Sequence, residues 1–581
     1  MFSSQNPSVF LAFALLLLRS QPSEARLLQD ASQLRAQYDY IIVGAGTAGS
    51  VLSNRLSADP KTSVLVIEAG GSPDAIQAIA VPFLGVTLPG TAVDWNFTST
   101  PQEGLNNRIL RYTRGYVLGG SSSVNLMAWN RGSDDMWDHW ARITQDAGWS
   151  WKAVEEYYFK TSRIVPPADG HDTTGQFVPS AHGNGPVEVS LPGFPTQLDN
   201  RVIKTSKQLG GRFHHNIDLN AGKALGFSWV QSSIGQSKRS SGATAYLEPV
   251  LNRTNLDVLT NTIATRILPS KKSPLTLNIV EIATSGQPSS ARHNITATRE
   301  LIVSAGVINT PQLLLLSGIG PSSALRTAGI TPILDLPGVG QNLTDHPFIP
   351  NYFTVSSNAT FDDVLRNETI FTANTQAFMR LPKSSPLLKR FGDPSSGPGS
   401  GHTEFGFMDG FAAFGPLPPP VTGHFLTLAT AVVSPLSRGN ISLNSTSPFD
   451  KPLIDPAVLT HEFDVGATVQ SMKDAQNFVS APAWDGFVVA PFGDLAQATT
   501  DELKVAYARK YATTVNHPVG TAAMSPKKAN WGVVDPDLKV KGVEKLRIVD
   551  ASIFPVIPEV HPQAVVYTVA ERAADLILRS L

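Results

Sequence analysis

The chain of 581 residues contains no cysteine. That single absence excludes disulfides, zinc–thiolate centres, iron–sulfur clusters and thiol nucleophiles. Charge is scarce as well: Asp, Glu, Lys and Arg make up 16% of residues, against about 25% in an ordinary soluble domain. A surface so poor in ions needs another source of solubility, and attached sugar is one. The net charge is −1, from 46 basic and 47 acidic residues. No overall field attracts a polyanion, so neither nucleic acid nor a membrane surface is expected as a partner.

Long apolar runs are missing too. The run Val9 to Leu18 falls well short of the roughly 20 residues that a membrane-spanning helix needs. Ser23-Glu24-Ala25 then places small residues where a signal peptidase cuts, so residues 1–25 are expected to be a signal peptide and the protein to be secreted. Asn96, Asn252, Asn294, Asn342, Asn358, Asn367, Asn440 and Asn444 each open an Asn-x-Ser/Thr triplet, which agrees with a glycosylated, exported protein. No feature calls for a second copy, and a monomer is expected.

The length suits two intertwined domains, or two to four separate ones. Residues 40–43 (YIIV) and 63–67 (SVLVI) are apolar enough to be buried strands, and residues 48–56 between them pattern as a helix. Residues 26–37 resemble a leader, with ordered structure beginning near Asp39. A further buried strand is expected over 300–304, and a helix from Gly306 through Leu316. A closing helix is expected over 566–577, with Val566, Ala570, Ala573, Ala574 and Ile577 on one face. Residues 384–402 and 415–423, rich in Pro, Gly and Ser, are expected to be loops. The expected fold class is α/β, α+β overall: a Rossmann-type domain at both ends of the chain (38–345 and 512–581), with an inserted substrate-binding domain built on an antiparallel sheet with helices. The main part of that domain is 346–511, with further segments inside 150–230.

Gly44-Ala45-Gly46-Thr47-Ala48-Gly49 is a G-x-G-x-x-G that follows an apolar strand and opens a helix. The first glycine permits the tight turn, the second a close approach of backbone to a pyrophosphate, and the third close packing of helix on strand. The helix N-terminus then faces the anion. Glu68 follows the next strand, where a carboxylate accepts hydrogen bonds from a ribose hydroxyl.

Further along, Leu118-Gly119-Gly120-Ser121-Ser122-Ser123-Val124-Asn125, then Ser304-Ala305-Gly306 with Thr310-Pro311 and Ser317-Gly318-Ile319-Gly320, resemble two signatures of the glucose–methanol–choline (GMC) oxidoreductases. Asn516-His517-Pro518-Val519-Gly520-Thr521, residues 546–552 (LRIVDAS) and His561-Pro562-Gln563 resemble that family's C-terminal part. Residues 94–97, 191–196, 449–454 and 531–537 are most similar to its fungal aryl-alcohol oxidases. The resemblance implies FAD as cofactor, contacted by Gly44, Gly46, Thr47, Ala48, Gly49, Glu68, Gly120, Ser121, Ser122, Asn125, Ala264, Asp550, Ala551 and Pro562. It implies oxidation of a primary alcohol, aryl or allylic, by hydride transfer to flavin N5, with oxygen or a quinone as acceptor.

His517 and His561 carry the proton chemistry in this reading. A neutral imidazole has a reference pKa of about 6.5, near operating pH, and is suited to remove a hydroxyl proton. His517 is assigned as the base and His561 as the hydrogen-bond partner of the hydroxyl, with shared or reversed roles as the alternative. Phe97, Phe411, Phe414 and Asn516 are assigned to the substrate pocket. No histidine falls between Gly119 and Met136, so the FAD is expected to be held non-covalently. No metal is expected, since adjacent His214 and His215 on a strand would point apart.

Three positions and one segment depart from the family pattern. Tyr116 stands where Arg or Lys is usual, Val307 replaces a smaller residue, and Asn516 replaces an aromatic. Residues 361–384 are shorter than in similar oxidases. The rival readings are a sugar oxidoreductase of the glucose oxidase or pyranose dehydrogenase type, a hydroxynitrile lyase on the same scaffold, and an inactive flavin protein.

Overall fold

The computed structural model describes residues 27–362 and 373–580. The Val9–Leu18 run, Asn367 and part of the shortened segment 361–384 therefore lie outside the described residues. Two sheets organise the chain. In the first, five parallel strands run in the order Leu27–Leu28, Leu256–Leu259, Val64–Ile67, Gln37–Val43 and His293–Val303. The long His293–Val303 strand then serves two partners: its start pairs antiparallel with Ser273–Thr284, and its end pairs parallel with Leu546–Ile548. Ser273–Thr284 continues antiparallel to Thr262–Ser270. Parallel strands covered on both faces must be apolar throughout, and Ile41, Ile42, Leu65, Val66, Leu301 and Ile302 are all fully buried.

The short Leu27–Leu28 strand corrects the expected leader. Paired with Val258 and Leu259, it starts the ordered sheet ten residues ahead of Gln37–Val43. The helix Thr47–Leu56 follows the glycine turn, and Gly306–Leu316 follows the His293–Val303 strand, as the patterns required. The closing helix, Gln563–Leu578, is longer than expected and is not one-sided. Residues from Gln563 through Ala574 are buried on every face, Glu571 and Arg572 included. Glu571 is satisfied there by Arg55 on the Thr47–Leu56 helix, Nη2 to Oε1 at 2.7 Å, and by the Tyr246 hydroxyl.

The second sheet is antiparallel, in the order Val488–Pro491, Pro347–Val355, Phe425–Val432, Thr403–Asp409, Ala373–Met379 and Gly226–Trp229. Thr513–Thr514 adds to Pro347–Val355. An aromatic core lies beneath it, with Phe227 stacked on Phe478 at 4.5 Å and 5°. Within the expected loop 384–402, Pro386–Phe391 forms a helix, because Ser385 caps its N-terminus and proline fits its first turn.

One tie between the two ends of the chain follows from a proline. Pro311 lies inside the Gly306–Leu316 helix and has no N–H for the carbonyl one turn back, that of Val307. That carbonyl accepts the Thr521 hydroxyl instead, at 2.6 Å. The helix defect is thereby used to anchor the segment that carries His517.

Candidate active site

A single cavity of about 590 Å³ is lined by residues of both glycine-rich segments, both histidines and the rim of the second sheet. At one part of it, Gly44 turns with φ +99°. A Cβ on Gly49 would lie 1.8 Å from the Gly44 carbonyl oxygen, so only glycine lets the helix close on the turn. Gly49 itself does not line the cavity; it packs behind the turn, which corrects its assignment as a direct contact. A Cβ on Gly120 would lie 2.7 Å from the Gly46 Cα, so the two glycine loops meet backbone to backbone. The Thr47–Leu56 helix has no side-chain cap at Gly46, which leaves its N-terminal N–H groups for an anion.

Glu68 is buried at the same cavity. Its Oε2 accepts from Ala45 N and its Oε1 from Gly70 N, both at 2.9 Å, and burial pushes its carboxyl up to about 7. The carboxylate thus braces the glycine turn and still lines the cavity with Thr262 and Ala264. Asp550 plays a matching part at the second helix: its Oδ2 accepts from Gly306 N and the Thr310 hydroxyl, and its Oδ1 from Ser552 N. A Cβ on Gly306 would meet nothing within 4 Å. Bare backbone, an uncapped helix N-terminus and a buried acid together fit a dinucleotide.

Thr47, Ala48, Ser121, Ser122, Asn125, Ala551 and Pro562 also line the cavity. Ser122 and Asn125 spend their side chains on protein. The Ser122 hydroxyl donates to Gly119 O and accepts from Gly242 N. Asn125 Nδ2 donates to Gln563 Oε1, while its Oδ1 accepts from Met127 N and Arg239 Nη1.

His517 and His561 meet although 44 positions separate them, with ring centroids 4.5 Å apart and planes at 73°. Two residues that the sequence did not single out complete the group. His561 Nε2 lies 2.6 Å from Glu404 Oε1, on the Thr403–Asp409 strand. His517 Nδ1 lies 3.1 Å from Nδ1 of His346, which is fully buried. Asp345 clasps the backbone of both: its Oδ1 accepts from His346 N and His517 N at 2.7 and 2.9 Å, and its Oδ2 accepts the hydroxyls of Tyr112 and Thr514. Burial, then the neighbouring His561, His346 and Arg114, holds His517 well below the usual imidazole range. It is a neutral ring in neutral solution.

Arg114, also unforeseen, donates through Nη2 to Asn516 O and through Nε to Thr113 O. Asn516 has φ +61°, a left-handed conformation that Asn adopts more readily than an aromatic residue. Its Oδ1 accepts from Thr113 N. The position therefore shapes the loop before His517 as well as lining the cavity.

Phe411 and Phe414 line the cavity as expected. Phe411 stacks on Tyr352 at 4.0 Å and Phe414 sits edge-on to Phe348 at 5.0 Å. Phe97 does not. It is buried behind Trp95, stacked at 5.5 Å, and Trp95 is the residue that faces the cavity. Alternation along the two-residue strand Phe97–Thr98 turns the phenylalanine into the second core. Glu404 and His346 had no local signal. One is an acid on a strand that ends in a second acid, Asp409, and the other follows Asp345 in a loop, and only the packing of distant segments gives either a partner.

The chain matches the description of the GMC oxidoreductases twice, over residues 38–348 and 435–570. It is 40% identical to a protein named dehydrogenase eriK of Hericium erinaceus, covering 97% of this chain and 98% of that one. It is 37% identical to pyranose dehydrogenase 3 of Leucoagaricus meleagris, covering 94% and 93%. Among solved structures it is similar to formate oxidase of Aspergillus oryzae, with a TM-score of 0.83, 29% identity and coverage of 94% and 98%. It is similar also to a fungal aryl-alcohol oxidase, with a TM-score of 0.79, 28% identity and coverage of 94% and 100%. With the bare-backbone cradle, the buried acid and the paired histidines already in place, these matches make the chain a member of the GMC oxidoreductase family, an FAD-dependent oxidoreductase.

Proposed function

We propose that the protein oxidises a primary alcohol, aryl or allylic, to the aldehyde, with oxygen as electron acceptor. The observation that carries this reading is the meeting of His517 and His561 at a cavity whose wall includes Trp95, Phe411 and Phe414. Bound FAD supplies the hydride acceptor. The substrate hydroxyl gives its proton to His517, which is neutral and has room to accept one. Glu404 holds the His561 ring beside the place of the hydroxyl. The aromatic wall packs against the ring of an aryl substrate and excludes water from the reacting bond.

A sugar substrate is the second reading, favoured by the 37% identity to a pyranose dehydrogenase. A panel decides between them. Anaerobic mixing with 4-methoxybenzyl alcohol should bleach the flavin absorbance, and air should restore it with formation of peroxide. Bleaching by glucose but not by the aryl alcohol would select the sugar reading. Restoration by benzoquinone but not by air would make the protein a dehydrogenase. No bleaching with any alcohol would point to a lyase or an inactive protein.

The flavin is taken to be non-covalent. His517 and His561 are the only histidines at the cavity among the described residues, and no tyrosine lines it. Acid denaturation and filtration should release yellow flavin. The protein is further taken to be a secreted glycoprotein, supported by the Val9–Leu18 run and by exposed Asn96, Asn252, Asn294, Asn358 and Asn444. Digestion of the protein from culture medium with an N-glycosidase should lower its apparent mass.

A further inference from the structure

We propose that His346 is a positioning residue for this reaction: it fixes the tautomer of His517 and so leaves the opposite ring nitrogen of His517 bare. The inference rests on the assignment of His517 as the base, but concerns a property of the resting protein. Nδ1 of His346 and Nδ1 of His517 are 3.1 Å apart, so one of them carries the proton and the other accepts it. A neutral imidazole has one N–H and one bare nitrogen. If His346 were the donor, His517 would be forced to hold its proton on Nε2, and a neutral His517 could not take a proton there. His346 is suited to accept. Its ring is fully buried, and burial holds it neutral, with its pKa down at about 3. Its one proton then sits on Nδ1 or on the buried Nε2, which has no hydrogen-bond partner. As the base, His517 needs its cavity-side nitrogen bare, so its own proton is on Nδ1 and His346 holds its proton on Nε2. His517 then donates Nδ1–H to His346 and keeps Nε2 bare.

The rest of the site agrees with this direction. Asp345 fixes the two backbones through His346 N and His517 N, so the ring-to-ring contact does not depend on a flexible loop. When the substrate hydroxyl transfers its proton to Nε2, the Nδ1–H bond to His346 is retained.

The test combines a spectrum with two variants. In the ¹⁵N-histidine-labelled holoenzyme, the His517 signal is assigned by its absence in His517→Ala. It should show a protonated Nδ1 and a bare Nε2; the reverse tautomer would overturn the proposal. In His346→Asn the amide oxygen replaces the accepting nitrogen, and the tautomer should be kept with kcat within about tenfold of the parent. In His346→Leu the tautomer should become mixed or inverted, with kcat lower by about 100-fold and KM within about threefold. A His346→Leu protein with full flavin content and unchanged kcat would also overturn it. Should that variant not fold, the parent spectrum and the asparagine variant still decide. A failure of the base assignment itself would appear separately, as full activity in His517→Ala.

Discussion

Glu404 and His561 are joined by a 2.6 Å contact between Oε1 and Nε2, which couples the antiparallel sheet of one domain to the C-terminal segment of the other. The carboxylate can only accept, so it keeps the proton on Nε2 and holds the ring at the cavity. Glu404→Gln preserves the size of the side chain but not the charge. It should lower kcat by about 10- to 100-fold while flavin content and melting temperature stay near those of the parent, as steady-state kinetics and flavin absorbance would show. Unchanged kcat would mean that the contact only supports the fold.

Removal of the His517 imidazole should cost at least about two orders of magnitude in kcat, the usual range for loss of an acid–base group. Its burial and cationic surroundings also bear on pH dependence. A ring held well below the ordinary imidazole value stays unprotonated as pH falls through about 6.5. The acid limb of kcat/KM that belongs to His517 should therefore lie clearly below that value. A limb near 6.5 that disappears in His517→Ala would contradict the electrostatic account.

Glu559 offers a test of stability. Its Oε1 accepts from Ser396 N at 2.7 Å, its Oε2 is buried without a partner, and burial raises its carboxyl to about 7. The folded protein therefore binds a proton that the unfolded chain has released between pH 4.5 and 7. Stability is fully present below about 4.5 and is lost as pH rises through about 7, by roughly 3 kcal/mol on simple linkage. Glu559→Gln should be close to neutral at pH 5 and should raise the melting temperature at pH 8.5. An equal loss at both values would show that Glu559 is not protonated in the fold.

Gly49→Ala places a methyl group 1.8 Å from the Gly44 carbonyl oxygen, a contact that only a shift of the helix or the turn relieves. The purified variant should carry less than about a tenth of the parent's flavin per chain, read from the ratio of flavin to protein absorbance. Full occupancy would place the cofactor elsewhere.

Phe414→Ala opens the cavity wall where an aryl ring would pack. The KM for 4-methoxybenzyl alcohol should rise about tenfold, consistent with the loss of about 1.4 kcal/mol of packing, and the kinetics with a sugar should change less. Equal effects on both substrates would argue against an aryl pocket.

Local sequence determined the nucleotide half of this protein. A glycine turn, an uncapped helix and an acid after the second strand interact within some 30 residues, and each has a pattern set by backbone sterics and burial. His517 and His561 were also legible, because their neighbours form recognisable segments. The tertiary structure alone decided who stands next to them. His346, Asp345 and Glu404 lie more than 150 residues from the ring or backbone they hold, and no period or spacing links such distant positions. It likewise turned Phe97 inward and brought Trp95 to the cavity, since strand alternation gives two faces but not which face meets the core. The short Leu27–Leu28 strand shows the same limit: two residues carry no pattern, and only the exposed edge of Leu256–Leu259 gave them somewhere to pair.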